Sequence, residues 1–212
     1  MPLFYQHNIN DTTKLAVWHI TEPENFFLEK VPLKRDIIHW HKRLQHLAGR
    51  YLLQELFPDF PYHLIEIADT RKPFLPNEEY HFSISHCGDY AAVIVSKDKR
   101  VGIDVELVTP KIDLVKNRFL KDEELELVAN YQLPEANNKY FYFVTLLWSC
   151  KEAVFKWNGE GGISFKNHIN IKRISGNDSQ GIIDCKFLKD QDKDLTINFQ
   201  LFQNTCLAWV VE

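Results

Sequence analysis

Two long stretches with helical spacing, residues 33–57 and 137–157, each sharing its half of the chain with several short apolar runs, constrain this sequence more than any other feature. In the first, Leu44, Leu47, Tyr51 and Leu52 recur at helical spacing and Pro58 ends the run. The second stops at Asn158-Gly159 and the glycine pair 161 and 162. Strands are predicted over 14–20, 63–68, 80–85 and 91–96, with a proline-pinned loop at 71–76. In the second half strands are predicted over 101–108, 168–174, 181–187, 195–202 and 206–211, the last four as an antiparallel meander, with a further helix over 114–131. The expectation is an α+β protein of two similar α/β lobes with pseudo-twofold symmetry, 1–100 and 101–212, meeting near 97–103 with a site between them.

A chain of 212 residues that is 45% hydrophobic can bury a full core. Its 25 Lys and Arg against 29 Asp and Glu give a net charge of -4, so no global basic field holds a nucleic acid backbone. The first 13 residues lack a positive start followed by an apolar stretch, and no run approaches bilayer length. A cytoplasmic protein without membrane contact is expected. Its four cysteines, 87, 150, 185 and 206, show no CxxC spacing and read as buried free thiols.

Asp104 and Glu106 stand two apart in Val101-Gly102-Ile103-Asp104-Val105-Glu106, so on a strand both carboxylates leave one face. A hard cation such as Mg²⁺ between them would relieve their repulsion; a solvent-facing strand with alternate charges is the other reading. In the helix over 137–157, Phe143, Leu147, Cys150, Val154 and Trp157 form an apolar stripe, while Trp148, Glu152 and Lys156 follow a different face. Glu152 and Lys156 also have the spacing of an ordinary surface salt bridge. With Asp104 and Glu106, Glu152 would complete a metal site, and Lys151 and Lys156 would neutralise phosphates. His39, His41 and His46 do not converge as ligands and read as helix surface.

Gly102-Ile103-Asp104, followed after some forty residues by Trp148-Ser149-Cys150-Lys151-Glu152-Ala153-Val154-Phe155-Lys156, resembles the signature of the 4′-phosphopantetheinyl transferase superfamily with every signature position filled. Lys72-Pro73 resembles the family's lysine-proline loop, Phe82-Ser83-Ile84-Ser85-His86 its serine-histidine strand end, and Arg118-Phe119 with Glu123 and Glu124 its Arg-Phe helix. One position departs: Arg71 stands where the family usually has glycine, and its guanidinium could reach the 3′-phosphate of coenzyme A. The length is that of the two-lobed, monomeric type similar to the surfactin-synthetase activator.

The resemblance implies an Mg²⁺ enzyme that moves the phosphopantetheine of coenzyme A onto a serine of an apo acyl or peptidyl carrier protein and releases 3′,5′-ADP. It implies Asp104, Glu106 and Glu152 as metal ligands, and Glu152, Lys156, Lys151 and His86 as catalytic groups. Lys72, Arg71, Ser85, His86, Lys156 and Arg50 are implied for coenzyme A. Glu152, a water or Glu124 would take the serine proton. Carrier docking is expected along 114–131, helped by Lys116, Arg118 and Lys121. Two other readings stay open: a non-catalytic carrier-binding homologue, and an unrelated Mg²⁺-dependent phosphohydrolase.

Overall fold

Capping side chains and prolines shift the ends of the long helices from where periodicity alone puts them. The computed structural model describes residues 3–33, 36–130, 139–190 and 192–212. It divides into two compact units, Met1–Val101 and Gly102–Glu212.

In the first unit the elements are β1 (Leu3–Asn8), β2 (Thr13–His19), α1 (Glu24–Leu28), α2 (Trp40–Leu56), the short β3 (Glu66–Ile67) and β4 (Pro73–Phe74), then β5 (His81–Cys87) and β6 (Tyr90–Ser96). The main sheet runs β1-β2-β6-β5 with every pair antiparallel. Leu44, Leu47, Ala48, Leu52 and Leu53 recur every third or fourth position along α2 and are buried with Val93 and Val95 of β6. Helix α2 starts at Trp40, not residue 33, because His39 is extended and its side chain accepts from the Lys42 N–H. It ends at Leu56, since the extended Phe57 precedes Pro58. The strand expected over 63–68 is instead a 3₁₀ turn, Tyr62–Leu64, followed by the two residues of β3. Strand β1, which periodicity did not indicate, is mostly exposed and gains its order from pairing with β2.

The second unit contains β7 (Val101–Leu107, which begins at the unit boundary), α3 (Lys116–Phe119), α4 (Asp122–Asn130), α5 (Lys139–Asn158), α6 (Phe165–His168), β8 (Ile169–Gly176), β9 (Gln180–Phe187), β10 (Lys193–Phe202) and β11 (Thr205–Val211). Its sheet runs β7-β11-β10-β9-β8, the last four strands forming an antiparallel meander. Phe143, Leu147, Cys150, Val154 and Trp157 of α5 are buried in one cluster with Ile183, Ile197 and Ala208 of the sheet. The helix expected over 114–131 is split. Leu120 is extended, and α4 restarts where Glu124 Oε2 accepts from the Lys121 N–H at 2.8 Å, half of a capping box. Residues 34–35, 131 and 137–138, which belong to the helices expected from periodicity, lie outside the described residues. No helix among the described residues is long and apolar enough to cross a membrane.

Candidate active site

The site of the second unit starts from a glycine. A Cβ at Gly102 would stand 2.0 Å from the Ala153 carbonyl oxygen and 2.6 Å from the Trp157 nitrogen, so only glycine lets β7 pass this close to α5. Two residues on, Asp104 meets the α5 face that carries Trp148, Glu152 and Lys156. Lys156 Nζ donates to Asp104 Oδ1 at 2.6 Å, with the two side chains 23% and 3% exposed. Trp148 Nε1 donates to Glu106 Oε1 at 3.3 Å, and Ser149 Oγ donates to the Asp104 backbone carbonyl at 3.2 Å. The salt bridge of Lys156 therefore runs to the strand, not to Glu152 along its own helix.

Burial, reinforced by the negative charge of Asp104, pushes the Glu152 carboxyl up to about 7; Lys156 opposes the rise and Glu106 adds to it. Among the described residues no three acidic, histidine or cysteine side chains converge as a ready-made metal cage. Asp104, Glu106 and Glu152 offer only oxygen donors, the ligand type a hard divalent cation takes, and Glu152 carries a charge that burial and its acidic neighbours penalise.

Beside Glu152 opens a cavity of about 530 Å³ lined by Val115, Arg118, Phe119, Trp148, Phe155, Ser164 and Phe165. Its rings form a chain: Phe119 to Trp148 at 4.9 Å, Trp148 to Phe165 at 5.4 Å, and Phe165 to Phe155 at 5.6 Å between centroids. Sequence reading missed this cavity because its rings come from three separate helices. Of the expected docking lysines, Lys116 is already held by Asp113 and the Tyr140 hydroxyl, both at 2.6 Å, while Arg118 faces the cavity. Leu114 beside them is 83% exposed.

Lys151 requires a correction. Its side chain is 0% exposed, and Nζ donates to the Phe119 carbonyl at 2.8 Å, Glu124 Oε2 at 2.7 Å and the Phe165 carbonyl at 3.1 Å. All three ammonium hydrogens are used internally, so Lys151 does not neutralise a phosphate. Glu124 is corrected with it. Its Oε1 accepts from the Ile171 N–H at 2.8 Å and its Oε2 from Lys121 and Lys151, which leaves it no role as a base. Together they fix the backbones of Phe119 and Phe165, whose rings line the aromatic cavity.

In the first unit, Arg50, Arg71 and His86 line a second cavity, of about 350 Å³, together with His46, Tyr62, Ile65, Ile67, Pro73 and Ile84. Arg50 of α2 is 5% exposed and stacks over the Tyr62 ring at 6.0 Å. His46, read from the sequence as helix surface, lies one turn before Arg50 and lines the same cavity. The i, i+4 spacing of the two was the available signal. Ser85 alternates to the face of β5 opposite Ile84 and His86 and is buried. Lys72 is not among the lining residues. Burial, and then the Arg100 charge, pull its ammonium down to about 8.

A model of the 4′-phosphopantetheinyl transferase superfamily matches residues 100–209, from β7 through most of β11. Enterobactin synthase component D of Escherichia coli K12 is 31% identical over 116 residues, 54% of each chain. The 4′-phosphopantetheinyl transferase AcpT of Escherichia coli O157:H7 is 30% identical over 121 residues, 56% of this chain and 59% of that one. The 4′-phosphopantetheinyl transferase HetI of a Nostoc strain is 34% identical over 82 residues, 38% of this chain and 33% of its own. The chain thus spans about half the length of the first curated relatives it matches. The match takes in both halves of the signature and the strand-helix contact that brings Asp104 to Lys156, and on that ground this chain belongs to the 4′-phosphopantetheinyl transferase superfamily.

Proposed function

We propose that this chain transfers the 4′-phosphopantetheine of coenzyme A to a serine of an apo acyl or peptidyl carrier protein and releases 3′,5′-ADP. The observation that carries the reading is the Asp104, Glu106, Glu152 and Lys156 constellation, built by β7 and α5 from the two halves of the family signature. The relatives named 4′-phosphopantetheinyl transferases support it. We read the protein as a cytoplasmic monomer with two related lobes.

Asp104, Glu106 and Glu152 would hold Mg²⁺, which when bound supplies positive charge against the pyrophosphate. Asp104 holds the ammonium of Lys156 at the mouth of this cluster, where it offers further hydrogens to phosphate oxygens as charge builds on them. The carrier serine oxygen forms the new bond to the phosphorus bearing pantetheine as the bond to the 3′,5′-ADP oxygen breaks. With Glu124 committed internally, Glu152 or a water takes the serine proton. In the first unit, Arg50, Arg71 and His86 offer cationic and hydrogen-bonding groups for the phosphates of the donor, and Lys72 adds a charge nearby in sequence.

The test mixes the protein, Mg²⁺ and coenzyme A with several apo carriers and weighs each carrier. Addition of one phosphopantetheine is expected on at least one. Folded protein that modifies none overturns the reading. Coenzyme A cleavage without a carrier would point to a hydrolase, and carrier binding without transfer to a non-catalytic homologue.

A further inference from the structure

Helix α6 is only four residues long, yet it carries the Phe165 ring into the wall of the aromatic cavity beside Glu152. The chain reaches it through 158–164, where Gly159 and Gly162 are left-handed with φ 75° and 76°. Lys189 Nζ holds this loop at the Gly161 carbonyl, 2.9 Å away. His168 holds its far end. The Ser164 N–H donates to His168 Nδ1 at 3.0 Å, and the His168 N–H donates to the Ser164 carbonyl at 2.8 Å. Ser164 Oγ in turn accepts from the Asn167 N–H at 3.2 Å. The result is a reciprocal cap of the capping-box kind, with an imidazole where a carboxylate usually stands. A backbone N–H only donates, so His168 Nδ1 carries no proton and the ring hydrogen sits on Nε2. The His168 carbonyl accepts from the Leu188 N–H at 2.8 Å, which moors the imidazole to the end of β9.

Ser164 and Phe165, on either side of this cap, both line the cavity. The Phe165 ring stands 5.4 Å from Trp148 and 5.6 Å from Phe155, and the Phe165 carbonyl accepts from Lys151 Nζ at 3.1 Å. Lys151 thus holds the turn by its first carbonyl and His168 by its leading amide. Ring-lined walls suit an uncharged chain of methylenes and amides. We propose that His168 is a positioning residue: through the Ser164 amide it keeps the Phe165 wall in place, and thereby sets how tightly the cavity holds the uncharged arm of the donor. The proposal rests on the reading that coenzyme A is the donor, and adds to it a residue outside the signature stretch that touches no substrate.

Titration calorimetry at fixed salt and fixed Mg²⁺ tests this with coenzyme A and with adenosine 3′-phosphate 5′-diphosphate, which keeps the phosphates and lacks the arm. The ratio of the two affinities reports the arm. The variants are His168→Ala, His168→Leu, which keeps bulk without an acceptor, and His168→Asn, whose Oδ1 stands where Nδ1 stands. His168→Ala and His168→Leu are expected to weaken coenzyme A binding about tenfold and to leave the armless nucleotide nearly unchanged, because the Ser164 N–H loses its acceptor. His168→Asn should restore most of the ratio, a rescue that a merely space-filling histidine would not give. In transfer assays the KM for coenzyme A should rise in the Ala and Leu variants while kcat and the KM for carrier stay near the wild-type values.

An unchanged ratio in the Ala and Leu variants overturns the assignment, as does equal weakening toward both nucleotides. His168→Asn as weak as His168→Ala overturns it too, since the acceptor would then not be what matters. Carrier modification scored in parallel separates the two readings. If the wild type transfers normally but the ratio does not respond to His168, only this inference fails. If the wild type binds neither nucleotide and modifies no carrier, the donor assignment fails with it.

Discussion

Lys151 Nζ lies 2.7 Å from Glu124 Oε2, with the two side chains 0% and 3% exposed. Such a pair gains little over an apolar replacement, but removing one member strands the other in the interior. Lys151→Met is therefore expected to destabilise the protein by about 3–5 kcal/mol. Adding Glu124→Gln removes the stranded charge but keeps one acceptor oxygen for only one of the Lys121 and Ile171 N–H groups, so it should recover part of that loss at most. Urea unfolding of the two single variants and the double variant measures the coupling; additive losses would mean the pair is not a unit.

Gly102 and Gly162 make a controlled comparison. A methyl at Gly102 would meet the α5 backbone at 2.0 Å, whereas a methyl at Gly162, where φ is 76°, would have nothing within 4 Å of it. Gly102→Ala must push β7 off α5, so it is expected to cost at least about 3 kcal/mol and to abolish transfer. Gly162→Ala meets only the left-handed backbone penalty, about 1 kcal/mol. Thermal melts of both variants decide, and comparable losses would show that the strand-helix contact is not what Gly102 serves.

The Lys72 ammonium, pulled from 10.5 down to about 8 by burial and by Arg100, gives a pH dependence with a definite sign. Between pH 8 and 10.5 the unfolded chain holds a proton that the folded one has lost, so stability rises with pH across that window. Below pH 8 the protein carries the full penalty, on the order of 3 kcal/mol. Lys72→Met should flatten the slope and raise stability at neutral pH. Urea midpoints from pH 7 to 10.5 check this, and a wild-type curve that is flat or falling there would contradict the lowered Lys72 ammonium.

The meeting of Asp104 on β7 with Lys156 on α5 was legible in the sequence because two regular spacings carry these faces: alternation along β7 and four-residue steps along α5. Lys151 was misread although its spacing held the answer. It falls four residues after Leu147 and three before Val154, on the buried stripe of α5, and the signature's chemistry outweighed that position. Its partner Glu124 lies 27 residues away, and no local pattern announces a contact at that separation. The same holds for the two cavities. His46, Arg71 and His86 come from a helix, a bulged turn and a strand end, and only the fold brings them together. The split of the helix expected over 114–131 was hidden because the Lys121–Glu124 cap reads in sequence like any other stretch of charged helix.

Lys156 and Asp104 offer the sharpest separation of stability from catalysis. Their 2.6 Å contact is partly enclosed, so Lys156→Met leaves Asp104, 3% exposed, without that cation and should lower the melting temperature. Asp104→Asn should be milder, because it also removes the charge that raises the Glu152 carboxyl. Combining the two removes both charges, and stability should return toward the wild-type value. Transfer should not return. If Asp104 is a metal donor and Lys156 a stabiliser of phosphate charge, each single variant loses about a hundredfold or more in rate. The double variant then stays as inactive as the worse single one, since neither group can replace the other. Metal titration followed by Trp148 fluorescence adds a readout independent of turnover: its indole donates to Glu106, so Mg²⁺ should change the emission of the wild type and not of Asp104→Asn. A double variant that regains both stability and rate would show that the pair only holds β7 to α5, and would remove both residues from the chemistry.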